Sequence, residues 1–144
     1  MIHKIPIEII PIEEEGFHLM INAVINGQKA NLLIDTGASR SVFDIEKIKK
    51  YIGEDQILFE KNEKLSTGLG TNTMESQSVI IDELKLGDLI IHNYQAVVLE
   101  MSHINQSYAK LNLPGIDGVM GGDLFYQYKV VIDYKRKSLK LYSL

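Results

Sequence analysis

The sequence predicts a mainly β domain, a small barrel or sandwich carrying two or three short helices. Strand-favouring runs outnumber helical ones. Turn signals return about every 8–12 residues, and roughly eight or nine short strands can be counted along the chain. The 144 residues fit one domain, and 45% hydrophobic with 24% charged residues is the mix of an ordinary globular protein. No repeat of solenoid length interrupts this pattern.

Residues 1–16 read as an N-terminal edge strand or arm, because residues 5–12 are rich in β-branched side chains but broken by Pro6 and Pro11. Residues 17–144 make the main domain. Strands at 17–25 and 29–34 flank Asn26-Gly27, a strong hairpin signal. Residues 44–51 have helical features: Asp44 can cap the start, Ile45, Ile48 and Ile52 share a face, and Gly53 marks the stop. Strands follow at 64–67 and 74–81 around a turn-rich tip at 68–73. A hairpin on Gly87-Asp88 joins 84–86 to 89–92, and 94–99 is apolar and extended. Residues 101–112 fit either a short helix or a loop. The chain closes with a helix at 123–128, a strand at 129–133, a turn at 135–137 and a strand at 138–142.

Composition narrows the function. A net charge of −4 gives no electrostatic reason to expect nucleic acid or an anionic membrane as partner. With no cysteine, disulfides and thiolate metal sites are excluded. The N-terminal stretch has acidic residues at Glu8 and Glu13 and does not read as a secretory leader; no run is long enough to span a membrane. A cytoplasmic location is the expectation. His3, His18, His92 and His103 are scattered without metal-ligand spacing, and Asp117, Asp123 and Asp133 match no calcium loop. Neither a metal nor an organic cofactor is expected. No nucleophile-elbow glycine pattern surrounds a serine.

The chemistry concentrates at Leu32-Leu33-Ile34-Asp35-Thr36-Gly37. Three apolar residues in a row imply a strand buried on both faces. A carboxylate at its end is expected to be partly desolvated, which disfavours its ionised form. Gly37 lets backbone approach the carboxylate so that its N–H can donate to it. Ala38 is small enough to floor a cleft, and Ser39 completes the loop.

Asp35-Thr36-Gly37-Ala38-Ser39, preceded by apolar residues, resembles the active-site loop of retropepsin-like (retroviral-type) aspartic proteases. Three further segments match in order. Ser66-Thr67-Gly68-Leu69-Gly70-Thr71 lies where such a chain places its flap, the hairpin that covers bound peptide. Gly118-Val119-Met120-Gly121 followed by Gly122-Asp123-Leu124-Phe125 resembles the late apolar-glycine segment that threads behind the loop. Residues 130–141 resemble the closing hairpin of bacterial and retroelement members. The similarity spans residues 17–142.

The resemblance implies a small closed antiparallel β-barrel and an aspartic endopeptidase acting on peptide or protein substrates. Asp35 is then the catalytic aspartate, Thr36 a hydroxyl grip across a close interface, and Gly68, Leu69, Gly70 and Thr71 the substrate-covering tip. Two aspartates in contact share one proton, because like charges cannot both ionise there; one serves as general base on water. This chain carries a single Asp-Thr-Gly, so a homodimer must supply the second Asp35. Asp117-Gly118 is a faint second candidate that lacks the threonine. Retroviral enzymes usually carry an acidic residue where Ser39 stands and an arginine where Gly122 stands; the tip Thr71-Asn72-Thr73 is also more polar than theirs. These departures leave an alternative, a catalytically weak peptide-binding or dimerisation module.

Overall fold

A computed structural model describes residues 1–14, 16–53, 57–58 and 77–144. Its elements are β1 (Ile2–Pro6), β2 (Glu8–Ile12), β3 (Gly16–Ile25), β4 (Gln28–Ile34), β5 (Val42–Asp44), α1 (Ile45–Ile48), β6 (Ile57–Leu58) and β7 (Gln77–Leu86). Then come β8 (Leu89–Leu99), α2 (Ser102–Lys110), β9 (Gly118–Met120), α3 (Gly122–Gln127), β10 (Val131–Asp133) and β11 (Ser138–Tyr142).

Asn26 and Gly27 both take positive φ, 47° and 83°, the primed-turn geometry that matches strand twist. β3 and β4 therefore pair from Ile25 opposite Gln28 to Leu19 opposite Ile34. Gly87, at φ 64°, turns β7 into β8, so the hairpin expected at 84–92 extends into two long strands. The strands run in the order β2-β3-β4-β9-β5-β8-β7-β6, and a β3–β7 pairing closes the middle six into a barrel. Closure leaves those six strands without a free edge. Most pairs are antiparallel, but β4–β9 and β5–β8 are parallel.

β1, β11 and β10 form a separate three-stranded sheet. The two proline-interrupted strands sit at sheet edges, β1 on this sheet and β2 on the larger one, where a missing N–H is tolerated. Ile5 and Ile7 nevertheless reach the main core beside Ile21, Leu32, Phe43, Ile81 and Leu84. A second cluster, Ile10, Met20, Met101, Tyr108, Ile116 and Val119, packs α2 against the outside of the barrel.

Several boundaries differ from expectation. Residues 101–112, open in the sequence, contain the helix α2. The helix at 44–51 is a single turn, α1, with Asp44 as its cap accepting from the Glu46 N–H at 3.4 Å. β10 begins at Val131 because Lys129 adopts φ 49°, which ends α3 rather than starting a strand. The strand and tip expected at 64–73 lie outside the described residues. Among the described residues no helix is long and apolar enough to cross a membrane.

His3 joins the chain ends to the β7–β8 turn. The residue is only 4% exposed. Nδ1 donates to Asp88 Oδ1 at 2.5 Å, leaving Nε2 to accept from the Ser143 hydroxyl at 2.5 Å. The atoms follow the order of a hydrolytic triad, but so buried a ring is out of a substrate's reach and the contact acts as a latch. The hydrogen bond from His3 holds the Asp88 carboxyl below its ordinary range. A depressed carboxylate contributes stability above its unfolded titration range and loses it as pH falls through the folded value. Asp88 is exposed, so the contribution is a small one. Urea titrations at decreasing pH should show native stability falling slightly more steeply than that of Asp88→Asn below the ordinary carboxylate range.

Candidate active site

Asp35 stands where β4 ends. Its backbone N–H donates to Met120 O at 3.1 Å, continuing the parallel β4–β9 ladder one residue past Ile34 opposite Met120. The chain then turns sharply: the Ala38 N–H donates to Asp35 O at 3.2 Å, and the Gly37 N–H donates to Asp35 Oδ1 at 2.9 Å. This fixes one carboxylate oxygen. A Cβ on Gly37 would sit 3.2 Å from that same oxygen, so glycine keeps the approach open.

Leu32 and Ile34 are buried in the main core, and Leu33 packs against the second cluster, as a strand covered on both faces requires. Asp35, Thr36, Gly37 and Ser39 are exposed and Ala38 half-buried. The desolvation expected of Asp35 is therefore absent from the single chain: the buried strand stops at Ile34, and the carboxylate emerges onto the surface.

Gly118, Val119, Met120 and Gly121 run directly behind the loop. The Gly122 N–H donates to Ala38 O at 2.8 Å. Two glycines make this threading possible. A Cβ on Gly118 would lie 2.7 Å from Val42 O and 2.8 Å from the Phe43 ring. One on Gly121 would lie 2.7 Å from Ala38 O and 2.8 Å from Arg40 O.

A polar lock not found in the sequence pins the far side of the loop. Asp123 Oδ1 accepts from both the N–H and the hydroxyl of Ser41, each at 2.8 Å. The Ser41 hydroxyl oxygen in turn accepts from the Gly121 N–H at 2.9 Å. The Tyr94 hydroxyl donates to Asp123 Oδ2 at 3.4 Å. Burial first, and then the Asp123 charge, push that hydroxyl well above the ordinary phenol range, so it keeps its proton and remains a donor. Ser41→Ala should leave the buried Gly121 N–H without an acceptor. The expected loss is about 1–3 kcal/mol of stability, read as a lower denaturation midpoint.

The other aspartates lie elsewhere. Asp117 is buried at the opposite end of the paired strands, accepting from the Asn31 N–H at 2.8 Å and facing Lys50 Nζ at 3.3 Å. That position takes it out of the Asp35 loop. Asp133 accepts from the Arg136 N–H at 2.9 Å. Asp117, Asp123 and Asp133 thus serve three separate local networks. The flap residues Gly68, Leu69, Gly70 and Thr71 lie outside the described residues.

An open groove of about 420 Å³ runs along the loop. β3 contributes Phe17, His18 and Leu19 to it, and β4 contributes Leu33 and Ile34. Asp35 and Thr36 form one wall, Ile132 and Tyr134 another. Phe17 is 67% and Tyr134 61% exposed, an uncovered aromatic rim beside the carboxylate.

Comparison with known proteins bears on the fold and the family. The chain resembles the crystal structure of a retropepsin-like aspartic protease from Rickettsia conorii, with a TM-score of 0.58 at 22% identity, over 98% of this chain and 91% of that one. It also resembles the retroviral protease-like domain of Ddi1 from Leishmania major, with a TM-score of 0.59 at 16% identity, over 88% and 90% of the two chains. Among curated proteins none matches. A family model described as aspartyl protease matches residues 21–124, the span from β3 through the start of α3. With the retropepsin-like barrel around it, the chain belongs to the aspartyl protease family.

Proposed function

We propose that this chain is an aspartic endopeptidase whose active site is completed when two copies bring their Asp35 loops together. The observation that carries the reading is the Asp35 carboxylate, held by the Gly37 N–H at the mouth of an open groove. In the pair, one Asp35 is ionised and takes a proton from water, while the protonated one donates to the scissile carbonyl oxygen. The two carboxyls titrate as a unit. Thr36 grips across the interface, and the tip at Gly68, Leu69, Gly70 and Thr71 covers an extended peptide bound as an added strand.

The exposure of Asp35 in one chain supports the need for a second, since a lone hydrated carboxylate cannot share a proton with a like neighbour. The uncovered Phe17 and Tyr134 rings support a cleft that is covered in use. The reading calls for no metal or organic cofactor, and the cysteine-free composition is compatible with a cytoplasmic setting. The same exposure fits the second reading, a peptide-binding module with little activity.

Mass spectrometry of a diverse peptide mixture, digested from acidic to neutral pH at high protein concentration, separates the two. Cleavage by the native chain and none by Asp35→Asn supports the peptidase. Cleavage by both assigns the activity elsewhere, and binding without cleavage by either favours the module.

A further inference from the structure

We propose that His18 is a substrate-positioning residue that selects, in one subsite beside Asp35, a peptide side chain bearing a carboxylate or amide oxygen. This rests on reading the groove as a peptide cleft. His18 on β3 lies one residue beyond the Leu19–Ile34 pair, as Asp35 does on the β4 side, and both line the groove. Alternation puts it on the same face as Met20, toward α2. There it stacks on Tyr108, with ring centroids 5.8 Å apart and planes at 27°, and Nδ1 lies 2.6 Å from the Tyr108 hydroxyl.

That contact decides what the ring offers. Burial pushes the Tyr108 hydroxyl up, so it stays protonated and can donate to Nδ1. The neutral ring then carries its proton on Nε2. A protonated ring has an N–H on both nitrogens. In either charge state Nε2 presents a donor, and the matching partner is an acceptor oxygen. Among the other side chains lining the groove only those of Asp35, Thr36 and Tyr134 are polar, so an acceptor has few competing side-chain donors.

Charge then separates carboxylate from amide. The titratable groups around His18 are Tyr108 on α2, Asp35 beyond β4, Tyr134 after β10, and Glu8 on β2, two residues from His18's partner Ile10. Asp35 and Glu8 disfavour an incoming carboxylate, and a protonated His18 offsets them. A protonated ring thus favours a carboxylate, and a neutral ring with its proton on Nε2 favours an amide oxygen.

The test uses hexapeptide pools with Glu, Gln or Leu fixed at each position in turn and the rest randomised. They are offered to the native chain, His18→Gln and His18→Phe. At one position the native chain should cut the Glu and Gln pools about tenfold or more faster than the Leu pool. His18→Gln, a donor without charge, should keep the preference for the Gln pool over the Leu pool. His18→Phe, which retains the stacking, should lose both preferences. Identical rankings for the native chain and His18→Phe at every position overturn the proposal and leave the peptidase standing. If no pool is cut, the peptidase reading fails, and the His18 ring resonances of the Asp35→Asn chain decide. Shifts with the Glu pool but not the Leu pool uphold the role of His18, and equal or absent shifts overturn it.

Discussion

Asp35→Asn is expected to lower peptide cleavage by about 10³-fold or more, with little change in stability. The substitution preserves shape, and the asparagine side-chain oxygen can still accept the Gly37 N–H that Oδ1 accepts at 2.9 Å. What it removes is the exchangeable proton shared by two carboxyls and the base that ionises water. Because Asp35 is exposed in the single chain, the stability change should fall within about 0.5 kcal/mol. A variant that folds like the native chain and does not cut separates chemistry from scaffold. Peptide-cleavage rates and denaturation midpoints on the same preparations check both halves.

The second large effect is expected from Gly121→Ala. Gly121 has φ −126°, which suits any residue, so the cost is one of contact and not of backbone conformation. The new methyl would meet two carbonyl oxygens of the active-site loop, Ala38 O at 2.7 Å and Arg40 O at 2.8 Å, and backbone cannot swing aside as a side chain can. Either β9 moves away from the loop or residues 38–41 are displaced. The expected loss is about 1–3 kcal/mol of stability. Activity should fall with it, because the displaced segment continues from Asp35. Gly122→Ala is the matched control: its nearest contacts, Ser39 O at 3.3 Å and Ala38 O at 3.4 Å, call for only a slight adjustment. Urea midpoints for the two variants should differ clearly, with Gly121→Ala the lower.

Features that depend on a residue's own backbone or immediate neighbours were legible in the sequence. Asn26-Gly27 announces a turn because few other residues adopt two consecutive positive φ values. Asp35 and Gly37 announce their contact because the donor is two residues from the acceptor. The late glycines were legible as a segment, though their reason, close approach to Val42, Phe43, Ala38 and Arg40, belongs to the fold.

What the sequence hid joins residues far apart through common side chains. Ser41 and Asp123 are separated by 82 positions, and nothing local marks either as a partner. His18 and Tyr108 are separated by 90. α2 stayed undecided between helix and loop because Ser102–Lys110 is polar on most sides and buries only Tyr108, so no apolar stripe signals a helix. The start of β10 was misread because Val130-Val131-Ile132 is strand-like throughout, whereas the left-handed Lys129 before it leaves no compositional trace. The exposure of Asp35 could not be read either, since burial of a strand says nothing about the residue just past its end.

The most direct test of a shared active site is a mixing titration. Native chain is held at a concentration where its rate per chain no longer rises with concentration, and Asp35→Asn chain is added in increasing excess. If each cleft needs an Asp35 from both copies, the variant draws native chains into inactive mixed pairs, and cleavage should fall toward zero with the fraction of native–native pairs. A rate that stays constant however much variant is added would mean that each chain cuts alone, and would contradict the account.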